Sequence, residues 1–229
     1  VADTIERPAE THEINQNANL NILEVIRCHQ LPIKKVLFAS SAAIYGDHPE
    51  LPKQENSPIL PLSPYAIDKY ATERFILSYG QLYNIPTVAT RFFNVYGPRQ
   101  NQHSPYSGVL SLINAALKNN HSFSLFGDGQ QTRDFIYIAD VIQAMVLLMT
   151  TETAVHDVYN VATGKQISIK QVISLFEQAH KQQLVIEYQP PRQGDIKDSA
   201  ACIQKIKQLG FQPKFTPQTG INHYVTGLN

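Results

Sequence analysis

Apolar positions along the first half of the chain fall into two kinds of run, short unbroken ones and longer ones at helical spacing. Residues 9–29 carry Ile14, Ala18, Leu20, Ile22, Leu23, Val25 and Ile26, the spacing of a helix with an apolar side. Lys35-Val36-Leu37-Phe38-Ala39 is a short strand-type run that ends at Ser40-Ser41. Residues 45–62 hold Pro49, Pro52, Pro58 and Pro61 and read as an ordered surface loop. Residues 65–83 then place Ile67, Ala71, Phe75, Ile76 and Tyr79 at helical spacing, and residues 86–93 read as a second buried strand ending at Asn94. Strand, helix, strand in this order implies a parallel, doubly wound sheet.

After Asn94 the pattern loosens. Helices are expected over 108–119 and 139–149, the latter apolar enough to be core. Short strands are expected over 123–126, 133–137, 158–161 and 185–188, with Gly127-Asp128-Gly129 a tight turn. Ser168 caps a helix running to about His180, with Ile169, Val172, Ile173, Leu175 and Phe176 inward, and Gly210 closes a last helix over 203–209. The expected fold class is α/β, a partial Rossmann-like doubly wound parallel sheet followed by a smaller C-terminal α/β lobe. The boundary falls at 93/94, with some later segments returning to the sheet.

Composition narrows the partners. The chain has 229 residues, 43% of them hydrophobic, enough for one large or two small domains. Its 19 basic and 19 acidic residues cancel, so no polyanion-binding surface is expected and nucleic acid is disfavoured. The apolar runs are too short to span a bilayer. Cys28 and Cys202 lack metal-ligand spacing and are expected to be free thiols in a reducing cytoplasm, and the 8 histidines are scattered without ligand spacing, so no metal is expected.

The chemistry concentrates where the first strand ends. Tyr65 and Lys69 are four residues apart in the first turns of a helix and therefore share a face. A phenol is a poor base at neutral pH unless a neighbouring cation favours the phenolate. Ser41 at the strand end could hold a reacting hydroxyl while Tyr65 removes its proton. Taken alone, a Tyr-x-x-x-Lys pair is also an ordinary helix surface.

Four ordered motifs raise the specificity. They are Ser40-Ser41-Ala42-Ala43-Ile44-Tyr45-Gly46, Tyr65-x-x-x-Lys69, Arg91-Phe92-Phe93-Asn94-Val95-Tyr96-Gly97-Pro98-Arg99 and Gly127-Asp128-Gly129-x-x-Thr132-Arg133-Asp134-Phe135. Together they resemble the extended short-chain dehydrogenase/reductase family of nucleotide-sugar epimerases and dehydratases, from near Asn15 to the C-terminus. The resemblance is nearest to the UDP-glucose and UDP-N-acetylglucosamine 4-epimerases and implies NAD as cofactor, a UDP-sugar substrate and a homodimer paired through the helices at 9–29 and 65–83.

By resemblance, Ser41, Tyr65 and Lys69 are catalytic, and Asn15, Ser40, Tyr65, Lys69 and Phe92 contact the cofactor. Asn15 equally reads as a polar residue on a solvated helix face, and Phe92 as core. Ser41, Asn94, Gln100, Val109, Arg133, Arg192, Asp195 and Ser199 are expected at the substrate. Arg133 and Arg192 match the arginines that grip the diphosphate, where a planar guanidinium suits paired phosphate contacts; for either one alone, a surface salt bridge is the plain reading. Asp195 would accept from a ribose. Asn94 could also be only a turn cap and Ser199 only a loop serine.

The family's 4,6-dehydratases carry an Asp-Glu pair where this chain has Ala42 and Ala43, so dehydration is disfavoured. A small residue at Ser199, where sugar-restricted members carry tyrosine, leaves room for a C2 acetamido group. Gly-x-Gly-x-x-Gly, the family's early diphosphate-binding loop, is absent, so the first third of the family pattern is expected to be missing. The alternatives are another NAD(P)-dependent reductase or decarboxylase of nucleotide sugars, or a truncated binding fragment without turnover.

Overall fold

The computed structural model describes residues 2–100, 108–191 and 197–227. The chain divides into two compact units. One is formed by residues 1–93, 142–161 and 202–211, the other by 94–141, 162–201 and 212–229.

The first unit opens with α1 (Ala2–Glu6) and α2 (Pro8–His12), a π-helical turn (Glu13–Asn17) and α3 (Ala18–Cys28). Then come β1 (Val36–Ser41), a 3₁₀ turn (Ala42–Tyr45), α4 (Pro64–Tyr83) and β2 (Thr87–Phe92). Beyond it, β3 (Asn94–Tyr96), α5 (Val109–Asn119), β4 (Phe123–Phe126), β5 (Thr132–Arg133) and β6 (Phe135–Tyr137) build the second unit, followed by α6 (Ile138–Thr150). Beyond α6, β7 (Asp157–Val161) returns to the first unit, while β8 (Ile167–Ser168), α7 (Ile169–His180) and β9 (Ile186–Gln189) belong to the second. The short α8 (Gln204–Lys207) is in the first unit and α9 (Pro217–Thr226) in the second.

Three parallel strands in the order β1-β2-β7 form the sheet of the first unit. This is a Rossmann-like α/β fold. Ser41 pairs in register with Phe92, and Phe92 with Val161, so three side chains stand in a row at the C-terminal ends of their strands. Open parallel sheets place their ligands at that edge. A core of Leu23, Phe38, Ile76, Leu77 and Ala89 seats α3 and α4 on the sheet.

The helix faces differ from the sequence expectation. Leu23 and Ile26 of α3 are buried, but Ile14, Ile22 and Val25 are 50–66% exposed. Apolar residues lie on both sides of this helix, and the π turn adds residues that shift the face ahead of it, so spacing alone could not choose. On α4, Ile67 and Phe75 are on the outer face, whereas the buried face carries Ala66, Asp68, Thr72, Glu73, Ile76, Leu77 and Gly80. Its inner side is polar in the turns beside the strand ends and apolar further along. Helix α6 is likewise only half core: Val141, Ala144 and Leu148 are buried, while Ile142, Val146 and Met149 are exposed.

The second unit packs α5, α7 and α9 around short strand pairs, β3 with β6 and β4 with β9 parallel, β5 with β8 antiparallel. Ser168 caps α7 through a full capping box with Gln171. The expected strand at 133–137 is interrupted at Asp134, and α9, started by Thr216 and Pro217, was not anticipated.

Candidate active site

Ser41 ends β1 in extended conformation and caps the 3₁₀ turn, its Oγ accepting from the Ala43 amide at 3.2 Å. The side chain is half-buried and its own proton remains to be donated elsewhere. Helix α4 starts with Ser63, whose Oγ accepts from the Ala66 amide at 3.2 Å, and Pro64 occupies its first position. That cap fixes where the helix begins, and so sets Tyr65 in its first turn and Lys69 one turn on.

Lys69 donates to the carbonyl oxygen of Ala39 at 3.0 Å. Its ammonium lies 5.1 Å from the Phe38 ring centroid and 5.8 Å from that of Tyr65. Burial holds the Lys69 ammonium below the usual lysine range. Tyr65 and Phe92 are half-buried. Ala42 and Ala43, directly after Ser41, carry no ionisable group.

Ser40 points the other way. Its hydroxyl is buried and donates to Glu73 Oε2 at 2.7 Å. Arg91 grips the same carboxylate with two bonds, Nε to Oε2 at 3.0 Å and Nη2 to Oε1 at 2.7 Å. Arg91 Nη1 donates to the Tyr45 hydroxyl and the Glu55 carbonyl oxygen, both at 2.8 Å. Tyr45 donates onward to Asn160 Oδ1 at 2.7 Å. Burial pushes the Tyr45 phenol up to about 12, so it stays a neutral donor. Asn15 sits in the π turn, half-buried, and its carbonyl oxygen accepts from Thr72 of α4 and from Asn19.

In the second unit, the Asn94 amide and side-chain Nδ2 both donate to the Asp134 carbonyl oxygen, at 3.2 and 3.1 Å. Gln100 is half-buried, and its Oε1 is buried without a partner among the described residues. Val109 is half-buried and opens α5. Arg133 and Ser199 are brought together through Thr132. Arg133 Nη1 donates to the Thr132 carbonyl oxygen at 2.8 Å and to that of Lys197 at 3.2 Å, while the Ser199 amide donates to Thr132 at 3.1 Å. Arg192 and Asp195 lie outside the described residues. Neither among the described residues is there a cluster of side chains able to hold a metal ion, nor a helix long and apolar enough to cross a membrane.

Asp134 and Glu73 are buried polar residues that local pattern does not assign to the site. The fully buried Asp134 carboxylate accepts from the Thr163 amide and hydroxyl at 2.9 and 2.6 Å and from the Gly164 amide at 2.8 Å. Glu73 had a visible signal: it follows Lys69 by four residues and Tyr65 by eight, on the same helix face.

Residues 1–162 match the NAD dependent epimerase/dehydratase family. The chain belongs to that family. Among curated relatives of this NAD-dependent epimerase/dehydratase chain, a putative UDP-glucose 4-epimerase of Methanocaldococcus jannaschii is 35% identical over 229 residues, 100% of this chain and 73% of the relative. In structure, the chain is similar to a UDP-N-acetylglucosamine 4-epimerase from Methanobrevibacter ruminantium in complex with UDP-N-acetylmuramic acid. That match has a TM-score of 0.93 and 33% identity and covers 99% of this chain and 72% of the other. It is also similar to a UDP-glucose 4-epimerase of Thermus thermophilus in complex with NAD, with a TM-score of 0.88, 33% identity, and 98% and 72% coverage.

Proposed function

We propose that this protein is a nucleotide-sugar 4-epimerase that takes UDP-glucose and UDP-N-acetylglucosamine, with Tyr65 as the catalytic base. One observation carries the reading: Tyr65 and Lys69 share the first turns of α4, and Lys69 is tied to the backbone of the strand that ends at Ser41. The 4-epimerase names of the relatives support the reaction class.

NAD, when bound, supplies an acceptor for hydride from the sugar C4 and gives it back. The chain's own residues do the rest. Ser41 holds the C4 hydroxyl, and Tyr65 removes its proton and later returns it to the epimeric alcohol. Lys69 favours the phenolate by its charge and, with one N–H already donated to Ala39, has further donors for ribose hydroxyls. These residues fit the nicotinamide end of NAD: Phe92 at its strand end gives an apolar face, and Asn15 and Ser40 complete the cofactor side, Ser40 through its backbone because its hydroxyl faces Glu73.

Asn94, Gln100, Val109, Arg133, Arg192, Asp195 and Ser199 are proposed to hold the sugar nucleotide. The buried Oε1 of Gln100, which has no partner among the described residues, is what a donor on the substrate would satisfy. Ala42 and Ala43 speak against dehydration. A reductase of the same family would consume reduced cofactor and an oxidative decarboxylase would form it, whereas epimerisation leaves the cofactor without net change. The exposed apolar residues Ile22, Val25, Ile67 and Leu82 on α3 and α4 support pairing with a second copy, and two free cysteines suit the cytoplasm.

The test is proton NMR of the anomeric region after incubation with NAD and either UDP-sugar. Appearance of the C4 epimer with wild type, and its loss in Tyr65→Phe, is the expected result. Epimer formation at the same rate by Tyr65→Phe would remove Tyr65 from the base role. Titration with NAD should also raise the melting temperature saturably.

A further inference from the structure

Two rungs join β1 to α4. The lower rung is Lys69 to the Ala39 carbonyl oxygen at 3.0 Å, and the next is Ser40 Oγ to Glu73 Oε2 at 2.7 Å. They use consecutive strand residues and helix residues one turn apart, so together they fix both the height and the rotation of the helix against the strand.

Glu73 cannot yield easily. It is fully buried, and its carboxylate is clamped by two bonds from Arg91, which is itself buried on β2. A buried ion pair adds little net stability over an apolar pair of similar volume, because desolvation offsets much of the attraction. What such a pair can supply is a fixed geometry, since a buried charge that leaves its partners is strongly penalised.

We infer that the Ser40–Glu73 hydrogen bond, held by Arg91, is a positioning device that sets Lys69 and Tyr65 relative to the Ser41 end of β1. Glu73 touches neither Tyr65 nor a reacting atom; it acts through the helix. Without the Ser40 rung, β1 can shift against α4, and the Lys69 ammonium, tethered to the Ala39 carbonyl oxygen, moves with the strand and changes its distance from the Tyr65 ring. The inference rests on the proposed role of Tyr65, but its primary test does not need turnover.

The test labels tyrosine with ¹³C at Cζ and follows the Tyr65 phenol through a pH titration, its signal assigned among the 11 tyrosines by its loss in Tyr65→Phe. Ser40→Ala removes the rung while leaving both Arg91 bonds to Glu73. It should raise the Tyr65 titration midpoint by about half a unit, the scale of one partly screened charge interaction a few ångströms away. Ser40→Thr, which keeps the hydroxyl, should restore it. Tyr45→Phe loses the bonds to Arg91 and Asn160 but not the rung, so it should lower the melting temperature and leave the Tyr65 midpoint where it is. In turnover assays, Ser40→Ala should lower kcat with KM little changed.

An unchanged Tyr65 midpoint in folded Ser40→Ala overturns the inference, as does an equal shift in Tyr45→Phe, which would make the effect one of general stability. A shifted midpoint in a protein that forms no epimer would uphold the positioning device and defeat the proposed reaction instead.

Discussion

Lys69 of α4 crosses to the backbone of β1 and donates to Ala39 at 3.0 Å, while burial disfavours its charge. The folded state therefore binds this proton less tightly than the unfolded chain does. Lys69 costs stability below its folded value, and stability should rise with pH from there up to the ordinary lysine value near 10.5. Lys69→Met removes that cost. Its melting temperature at pH 7 should equal or exceed wild type, while turnover falls about 10²-fold or more. Calorimetry beside an activity assay checks both halves, and a variant that melts well below wild type would contradict the first.

Arg91 and Glu73 give the opposite kind of outcome. Arg91→Met leaves a buried carboxylate with Ser40 as its one hydrogen-bond partner among the described residues, and should cost about 3–5 kcal/mol. Replacing both, Arg91→Met with Glu73→Met, removes the stranded charge and should recover most of that loss. Urea denaturation of the two singles and the double supplies the coupling energy.

Asp134 links the segments that carry the proposed substrate contacts in the second unit. Burial outweighs its hydrogen bonds and raises its carboxyl above the usual 3.8. The folded state then holds this proton to higher pH than the unfolded chain, so stability should fall as pH rises from about that value to the folded one, then level. Asp134→Asn should abolish this slope. It should also weaken binding of the sugar nucleotide, because an amide NH₂ cannot accept from Gly164 or Thr163 where a carboxylate oxygen did. Unfolding free energy against pH, with UDP affinity at neutral pH, tests both.

Ser199 follows Asp198, which bridges Thr132, and its amide donates to the Thr132 carbonyl oxygen; a small side chain at this position is proposed to admit a C2 acetamido group. Ser199→Tyr should abolish turnover of UDP-N-acetylglucosamine and spare UDP-glucose. Equal loss of both substrates would show that the residue does not select the sugar.

Much of this arrangement was legible in the sequence. The strand ending at Ser41 was readable because a short apolar run gives way to hydroxyl and small residues, and the α4 start because Ser63-Pro64 is a cap followed by a residue suited to the first turn. The inner face of α4 was not. Ile67 and Phe75 looked inward by spacing, yet Asp68, Thr72 and Glu73 are the buried residues. Hydrophobic periodicity assumes that buried means apolar, and it fails where a buried Arg91 on the neighbouring strand satisfies a helix carboxylate. Similarly, Asp134 broke an expected strand because its carboxylate serves the turn at Thr163 and Gly164, a pairing 29 residues away that no local pattern encodes.

In the proposed reaction, hydride leaves C4 and returns to C4 on the opposite face, with Tyr65 moving the proton. Supplying UDP-galactose deuterated at C4 together with NAD, and reading the product by mass spectrometry and deuterium NMR, tests this directly. The expected product is UDP-glucose that keeps the deuterium at C4, with no build-up of reduced cofactor and no product from Tyr65→Phe. Deuterium accumulating on reduced cofactor, deuterium at C6 of a dehydrated sugar, or no epimer at all would contradict it.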